Sequence, residues 1–168
     1  MARSDTDEAR SLLRQIEEAF AQRAYPGDAH LVKGVGDEEE EILRDMAGKH
    51  WRDLSAKFLR LHQDALFFLS PEGFRFFLPG YLIASIVDPA EADVIPGCLF
   101  VVLFPPREDQ ADNAGLLQKG WEDRVNGLTE EERQAIRSWL EYEMDDYDRT
   151  LVSDEGIRFW GLTEEREG

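Results

Sequence analysis

Apolar residues recur every three or four positions along much of this chain, which is the spacing of one face of an α-helix. The first such segment, 5–22, carries acidic residues at its start, where negative charge favours a helix N-terminus. The same spacing predicts amphipathic helices over 37–48 and 54–69. A last helix is predicted to begin after Thr129, because Thr129 and Glu132 have the spacing of a capping box.

The segment 70–87 is predicted to form a helix that Pro79 disturbs. Ser70 is a favourable N-cap, and Pro71 suits the first helical position. Pro79 is expected to kink or break the helix, because proline lacks a backbone N–H and its ring clashes with the preceding turn. The helix is expected to end before Asp88, since the residue before a proline disfavours the helical region.

Residues 94–104 leave two structures open. The run 98–104 is short, apolar on both faces and bounded by prolines, which suits either a buried strand or a buried helical turn. Residues 105–115 are polar and are predicted to form an exposed loop. We therefore expect one mainly α domain over 1–168, a helical bundle with or without a short buried strand or small sheet near 94–104.

The charge of the chain limits its partners. Thirty-six acidic and nineteen basic residues give a net charge of −17, which repels nucleic-acid phosphates and anionic membrane surfaces. The longest apolar run, 76–87, is too short to span a bilayer. The single Cys98 cannot form an intramolecular disulfide, and the N-terminal segment lacks the pattern of a secretory signal, so a cytoplasmic location is expected.

The central block 65–84 reads ALFFLSPEGFRFFLPGYLIA and contains the motif S-P-E-x-F-R-[FY]-[FY]-L-P-x-Y-L. It resembles the signature of an uncharacterised bacterial family catalogued only as a domain of unknown function. Segments 25–28, 48–51 and 128–142 fall where members of that family carry comparable sequence. The resemblance implies one domain and no activity, substrate or cofactor. Glycine stands at 73 and 80 where the resemblance implies alanine, which predicts a more easily bent helix.

The titratable side chains show no pattern of a known catalytic or metal site. His30, His50 and His62 lack the spacing that places two ligands on one helix face, so no metal ligand is predicted. His62 with nearby Asp64 is a candidate general base, weighed against an ordinary structural or surface histidine. Cys98 lies in an apolar segment, where a thiol behaves as a small hydrophobic residue. Neither a catalytic residue nor a cofactor is predicted.

Two groups of residues are candidate binding sites. One is the acidic run 141–148, which suits a divalent cation, a basic partner or simply a solvated helix face. Its candidates are Glu141, Asp145, Asp146 and Asp148. The other is the aromatic segment 67–81, in which Arg75 and Tyr81 are embedded. Because a buried guanidinium is costly without a partner, Arg75 is predicted to pair with a carboxylate.

The net negative charge, together with the lack of a recognisable catalytic or metal motif, favours a non-enzymatic intracellular protein. Such a protein presents an acidic surface to a basic protein partner, as immunity or antitoxin-type proteins do. The alternative hypothesis is a small enzyme or ligand-binding protein with an aromatic pocket around Pro79 that contains His62, Arg75 or Tyr81. A third hypothesis is a homodimer whose interface uses the surplus phenylalanines of 67–77.

Overall fold

The computed structural model describes residues 3–107, 109, 115–144 and 149–162. Within these ranges the chain forms helices and no strand, so the expected mainly α fold is confirmed. An isolated bridge pairs Val32 with Leu69. The α-helices are α1 (Asp7–Phe20), α2 (Asp37–Met46), α3 (Ala56–Leu61), α4 (Ala65–Phe68), α5 (Pro71–Val87), α6 (Pro89–Ala92), α7 (Ile95–Leu103), α8 (Leu116–Val125), α9 (Glu130–Glu143) and α10 (Asp154–Trp160).

Helix α5 lies at the centre of the core. Thirteen of its seventeen residues are buried, and it packs against α1, α3, α7 and α8. The helix begins at the predicted cap, where Ser70 Oγ accepts a hydrogen bond from the backbone N–H of Gly73 at 3.0 Å. It continues past Pro79 to Val87, so Pro79 does not break it. Packing against helices on several sides of this mostly apolar helix holds it in place despite the missing backbone donor.

The segment 54–69 forms two short helices, α3 and α4, and not the single helix that its spacing predicts. Side chains engage the backbone at the junction. Nδ1 of His62 lies 2.8 Å from the carbonyl oxygen of Phe58, and the hydroxyl of Tyr81 donates to the carbonyl of His62 at 2.7 Å. Such bonds compete with the regular i to i+4 pattern, which explains why a helical spacing is interrupted here.

Residues 95–103 form helix α7, which decides between the two structures left open for 94–104. The carbonyl of Leu103, at the last residue of α7, accepts hydrogen bonds from the indole N–H groups of Trp121 and Trp160, each at 2.8 Å. These bonds satisfy a helix-end carbonyl that has no partner within the helix. They also hold α8 and α10 at the end of α7. The spacing of apolar residues did not predict these two helices.

The buried apolar side chains form one connected cluster that extends from Ala9 in α1 to Leu162 after α10. Helix α1 contributes one face, on which its buried residues are spaced as predicted: Ala9, Leu12, Ile16 and Phe20. In the part of the chain that the structure describes, every helix is too short or too polar to cross a membrane.

Candidate functional site

Helices α1 and α9 pack antiparallel, which brings two acidic segments to one end of the pair. Arg3, which precedes α1, donates to the carbonyl of Tyr142 near the C-terminus of α9, and its Cζ lies 3.9 Å from the centroid of the Tyr142 ring. At the opposite end, Arg23 follows α1 and pairs with Glu132 in the first turn of α9. The exposed acids at the start of α1 therefore lie at the same end of the helix pair as the exposed Glu141.

We call this surface the acidic end, and it consists of Asp5, Asp7, Glu8 and Glu141. The Glu141 side chain is 49% exposed, and its Oε1 accepts a hydrogen bond from Arg137 Nε at 3.2 Å. Exposed pairs of this spacing contribute little to stability, so the Glu141 carboxylate remains accessible to a partner. The three other candidates of the acidic run, Asp145, Asp146 and Asp148, lie outside the described residues.

His62 lies at the C-terminal end of α3, and its side chain is 12% exposed. Its ring stacks on that of Phe58, with 4.2 Å between the centroids, and its Nε2 lies 3.0 Å from Oδ2 of Asp45 in α2. Asp64 is exposed, immediately before α4, and makes no cap hydrogen bond with its side chain. The carboxylate beside His62 is thus that of Asp45.

Both ring nitrogens of His62 face oxygen atoms. Nδ1 lies against the Phe58 carbonyl and Nε2 lies against the Asp45 carboxylate, so each is placed to donate, and the tautomer decides which one carries the proton in a neutral ring. Hydrogen bonds from His62 and then from Arg44 hold the pKa of Asp45 below its usual value. In the described structure neither ring nitrogen contacts a hydroxyl or a thiol, so the arrangement supplies a proton carrier without a nucleophile.

Replacing Asp45 with asparagine is expected to destabilise the protein at neutral pH and to have little effect in acid. Because folding lowers the pKa of Asp45, its carboxylate stabilises the fold above the unfolded value of about 4. That contribution is lost as the pH falls through the lower, folded value. The difference in free energy of unfolding between wild type and Asp45→Asn should therefore shrink as the pH falls below the unfolded value and through the lower, folded value.

Denaturant titrations at several pH values measure this difference. Asp53→Asn removes an exposed carboxylate elsewhere and controls for the loss of one negative charge. A difference for Asp45→Asn that stays constant from neutral pH into acid would mean that the carboxylate gains nothing from its two neighbours.

The same region holds the one set of three potential metal ligands found among the described residues, Glu41, Asp45 and His62. Their ligand atoms all lie within 4.8 Å of one another, and they are the carboxylate and imidazole types that bind zinc. Arg44 already contacts both carboxylates, with Nη2 3.8 Å from Oε1 of Glu41 and Nε 3.1 Å from Oδ1 of Asp45. A cation would have to displace this guanidinium, so a surface ion-pair network describes the cluster more simply.

Arg75 is 8% exposed and makes bonds to backbone carbonyls. Its Nη1 donates to the carbonyl of Asp123 at 2.8 Å and to that of Arg124 at 3.2 Å, at the C-terminal end of α8. Among the described residues no carboxylate pairs with it, so the predicted acidic partner is corrected to a helix end, where carbonyl groups lack partners and the dipole is negative. Burial, and then nearby Arg23, lower the pKa of Arg75.

Tyr81 is fully buried beneath His62, and burial raises its pKa. The aromatic residues around it are also buried, namely Trp51, Phe74, Phe76 and Phe77. Phe67 differs, with 40% of its surface exposed. Pro79 is itself buried, and the cavities beside Phe100, Thr150 and Lys49 are lined by none of Pro79, His62, Arg75 and Tyr81.

The central block therefore combines a capped, buried helix with an arginine and a tyrosine that bond to neighbouring backbone. Residues 8–160, which include this block, match a family model described as "Family of unknown function (DUF6714)". The chain belongs to the DUF6714 family. The resemblance drawn from the sequence is thereby confirmed, for a family to which no function is assigned. No curated protein and no solved structure matches the chain.

In this DUF6714 member, the sequence candidates do not form one site. His62 and Tyr81 are joined through a backbone carbonyl, whereas Arg75 bonds to α8 and Glu141 lies at the acidic end. Sequence reasoning missed Asp45 as the partner of His62, because the two residues come from separate helices. The four-residue spacing of Glu41 and Asp45 was the available signal, since it places both carboxylates on one face of α2.

Proposed function

We propose that this DUF6714 member is a non-enzymatic intracellular interaction protein whose acidic end binds a basic protein partner. The observation that carries the proposal is the antiparallel packing of α1 and α9, which brings Glu141 to the same end as Asp5, Asp7 and Glu8. Charges gathered on one surface attract a basic protein over a longer range than the same charges spread around the molecule.

Exposure supports this assignment. The side chain of Asp7 is 98% exposed, although Asp7 pairs with Arg10, and an exposed pair of this kind dissociates at little cost when a partner supplies a better cation. The net charge of −17 adds a long-range field of the same sign. An immunity or antitoxin-type protein that covers a basic surface on its target is the physical type that fits these properties.

The alternative, a small enzyme or ligand-binding protein with a pocket around Pro79, has less support. The aromatic side chains that would line such a pocket are packed in the core, and His62, Arg75 and Tyr81 make separate contacts. A filled region offers a substrate no space without rearrangement of the core.

Affinity capture with the purified chain, from a lysate of the source organism at low and at high salt, tests the proposal. We expect a stoichiometric basic protein at low salt that is released as salt screens the charges. A variant that neutralises the acidic end (Asp5→Asn, Asp7→Asn, Glu8→Gln and Glu141→Gln) should bind that protein at least about tenfold more weakly.

The matched control neutralises the four acids that open α2, namely Asp37, Glu38, Glu39 and Glu40. It removes the same number of charges from another helix start. It therefore separates an effect of the acidic end from an effect of the net charge. Equal weakening by both variants, or capture that neither salt nor the variants change, would refute binding through the acidic end. Thermal unfolding of both variants shows whether each one is folded.

A further inference from the structure

A cavity of about 480 Å³ lies between α7, α8 and the segment that precedes α10. Its volume falls within the range of roughly 300–1,000 Å³ that small-molecule sites occupy. Phe100, Val102 and Phe104 form part of its wall, and Pro105 and Val152 extend it. The wall is mainly apolar, which is the usual character of a ligand site.

Exposed apolar side chains concentrate at this cavity. The structure describes nine large hydrophobic residues that are exposed, and five of them line it: Phe67, Val101, Leu116, Leu117 and Leu151. Their exposed fractions range from 40% for Phe67 to 66% for Leu116. Single exposed apolar residues are ordinary, but a group of them around one concave surface marks a binding site.

Three cations line the same cavity although the protein is strongly acidic, and one of them, Arg107, pairs with Asp109 at 3.1 Å. Lys33 lines it from the turn before α2, and Arg124 lines it from α8. Desolvation, and then the nearby charge of Arg124, lower the pKa of Lys33, while burial lowers the pKa of Arg124 to about 10. Both shifts indicate that positive charge here is only partly compensated, although Lys33 itself is an exposed residue.

The nearby carboxylate of Asp123 offsets this positive charge only in part, because desolvation outweighs its attraction for both cations. Arg124 Nε donates to the carbonyl of Val102 at 3.0 Å, which is a neutral acceptor. Asp123 also pairs with Lys119 at 2.9 Å, so its charge is shared among three cations. Among the described residues the Lys33 ammonium group has no hydrogen-bond or ion-pair partner. An anion in the cavity would therefore offset the repulsion between Lys33 and Arg124.

We propose that this cavity binds a single-chain carboxylate of the fatty-acid type, with its head group at Lys33 and Arg124 and its alkyl chain along Val101, Leu117 and Leu151. The charge of the two cations matches the carboxylate, and the apolar wall matches the chain. The site uses none of the residues of the acidic end. It therefore goes beyond the proposed interaction, and the two proposals are tested independently.

Isothermal titration of the purified chain with dodecanoate, below the concentration at which it forms micelles, tests the proposal. We expect saturable 1:1 binding with a Kd of about 1–100 μM. Dodecanol, which has the same chain without the charge, should bind at least about tenfold more weakly. Lys33→Met should weaken dodecanoate binding about tenfold and leave dodecanol binding unchanged, whereas Lys57→Met removes an exposed lysine outside the cavity and should change neither.

A second variant fills the cavity without threatening the fold. Gly120 lines it, and a Cβ there would meet Nη1 of Arg124 at 3.4 Å, so Gly120→Leu fits in α8 and also favours the helix. It should weaken the binding of both ligands at least about tenfold, with no loss of thermal stability. Absence of saturable binding, equal affinity for dodecanoate and dodecanol, or equal effects of Lys33→Met and Lys57→Met would each overturn the proposal.

Discussion

Replacing Glu132 with alanine is expected to lower the free energy of unfolding by about 3–5 kcal/mol. Its side chain is 2% exposed, and its carboxylate accepts from Nε of Arg23 at 2.8 Å and from the backbone N–H of Thr129 at 2.8 Å. The substitution leaves the Arg23 guanidinium, whose side chain is 21% exposed, and the backbone N–H of Thr129 without this acceptor. Denaturant unfolding followed by tryptophan fluorescence measures the loss.

The neighbouring Glu131→Ala is the matched control. Glu131 also lies in the first turn of α9 but is exposed, so its removal should cost less than about 1 kcal/mol. Arg23→Met in the Glu132→Ala background should recover part of the loss, because it removes the uncompensated charge. If Glu132→Ala costs no more than Glu131→Ala, the contact between α1 and α9 does not depend on this ion pair.

The starts of α5 and α9 were predicted correctly because the interactions that define them are local. Ser70 and Thr129 each accept a hydrogen bond from a backbone N–H three residues later, as their sequence context predicted. The break within 54–69 was not predictable in this way, because it involves the hydroxyl of Tyr81, nineteen positions after His62. Spacing indicates a helical face, but it carries no information about a distant donor.

The apolar run before Phe104 shows a second limit. A segment that is apolar on both faces fits a buried strand and a buried helix equally well, so tertiary contacts decide. Here the Leu103 carbonyl at the end of α7 accepts hydrogen bonds from the indole N–H groups of Trp121 and Trp160. Both tryptophans belong to helices that come later in the sequence. The same contacts explain why α8 and α10, with few periodic apolar residues, are nonetheless part of the fold.

The burial of a candidate residue was easier to predict than the identity of its partner. The burial of Arg75 agrees with the sequence argument that it needs a partner, but that partner is the end of α8 and not a carboxylate. His62 faces Asp45, which comes from another helix. Lys33 and Arg124 carried no signal, because two isolated basic residues far apart in sequence show no motif. The burial of a residue can be inferred from its type, whereas which side chains come together depends on how the helices pack.

The two glycines of α5 are explained by close packing. A Cβ at Gly73 would overlap the carbonyl oxygen of Leu31, and a Cβ at Gly80 would lie 3.3 Å from the Cβ of Trp51. The carbonyl of Leu31 also accepts a hydrogen bond from the N–H of Ser70 at 2.9 Å, so it cannot retreat without losing that bond. The sequence argument treated these glycines as sites of bending, since it had no information about which backbone lies against them.

Gly73→Ala is therefore expected to destabilise the protein by about 3 kcal/mol, because the added methyl group displaces the Leu31 backbone and weakens the start of α5. Gly80→Ala should cost less, since Trp51 needs to move by only a few tenths of an ångström. Gly97→Ala in α7 is the matched control: a Cβ there meets no atom within 4 Å among the described residues. It should stabilise the protein by about 0.5–1 kcal/mol through helix propensity alone. Denaturant unfolding of the three variants gives the order of their free energies of unfolding directly. If Gly73→Ala stabilises the protein as much as Gly97→Ala does, the 31–32 segment does not pack against α5 in this way.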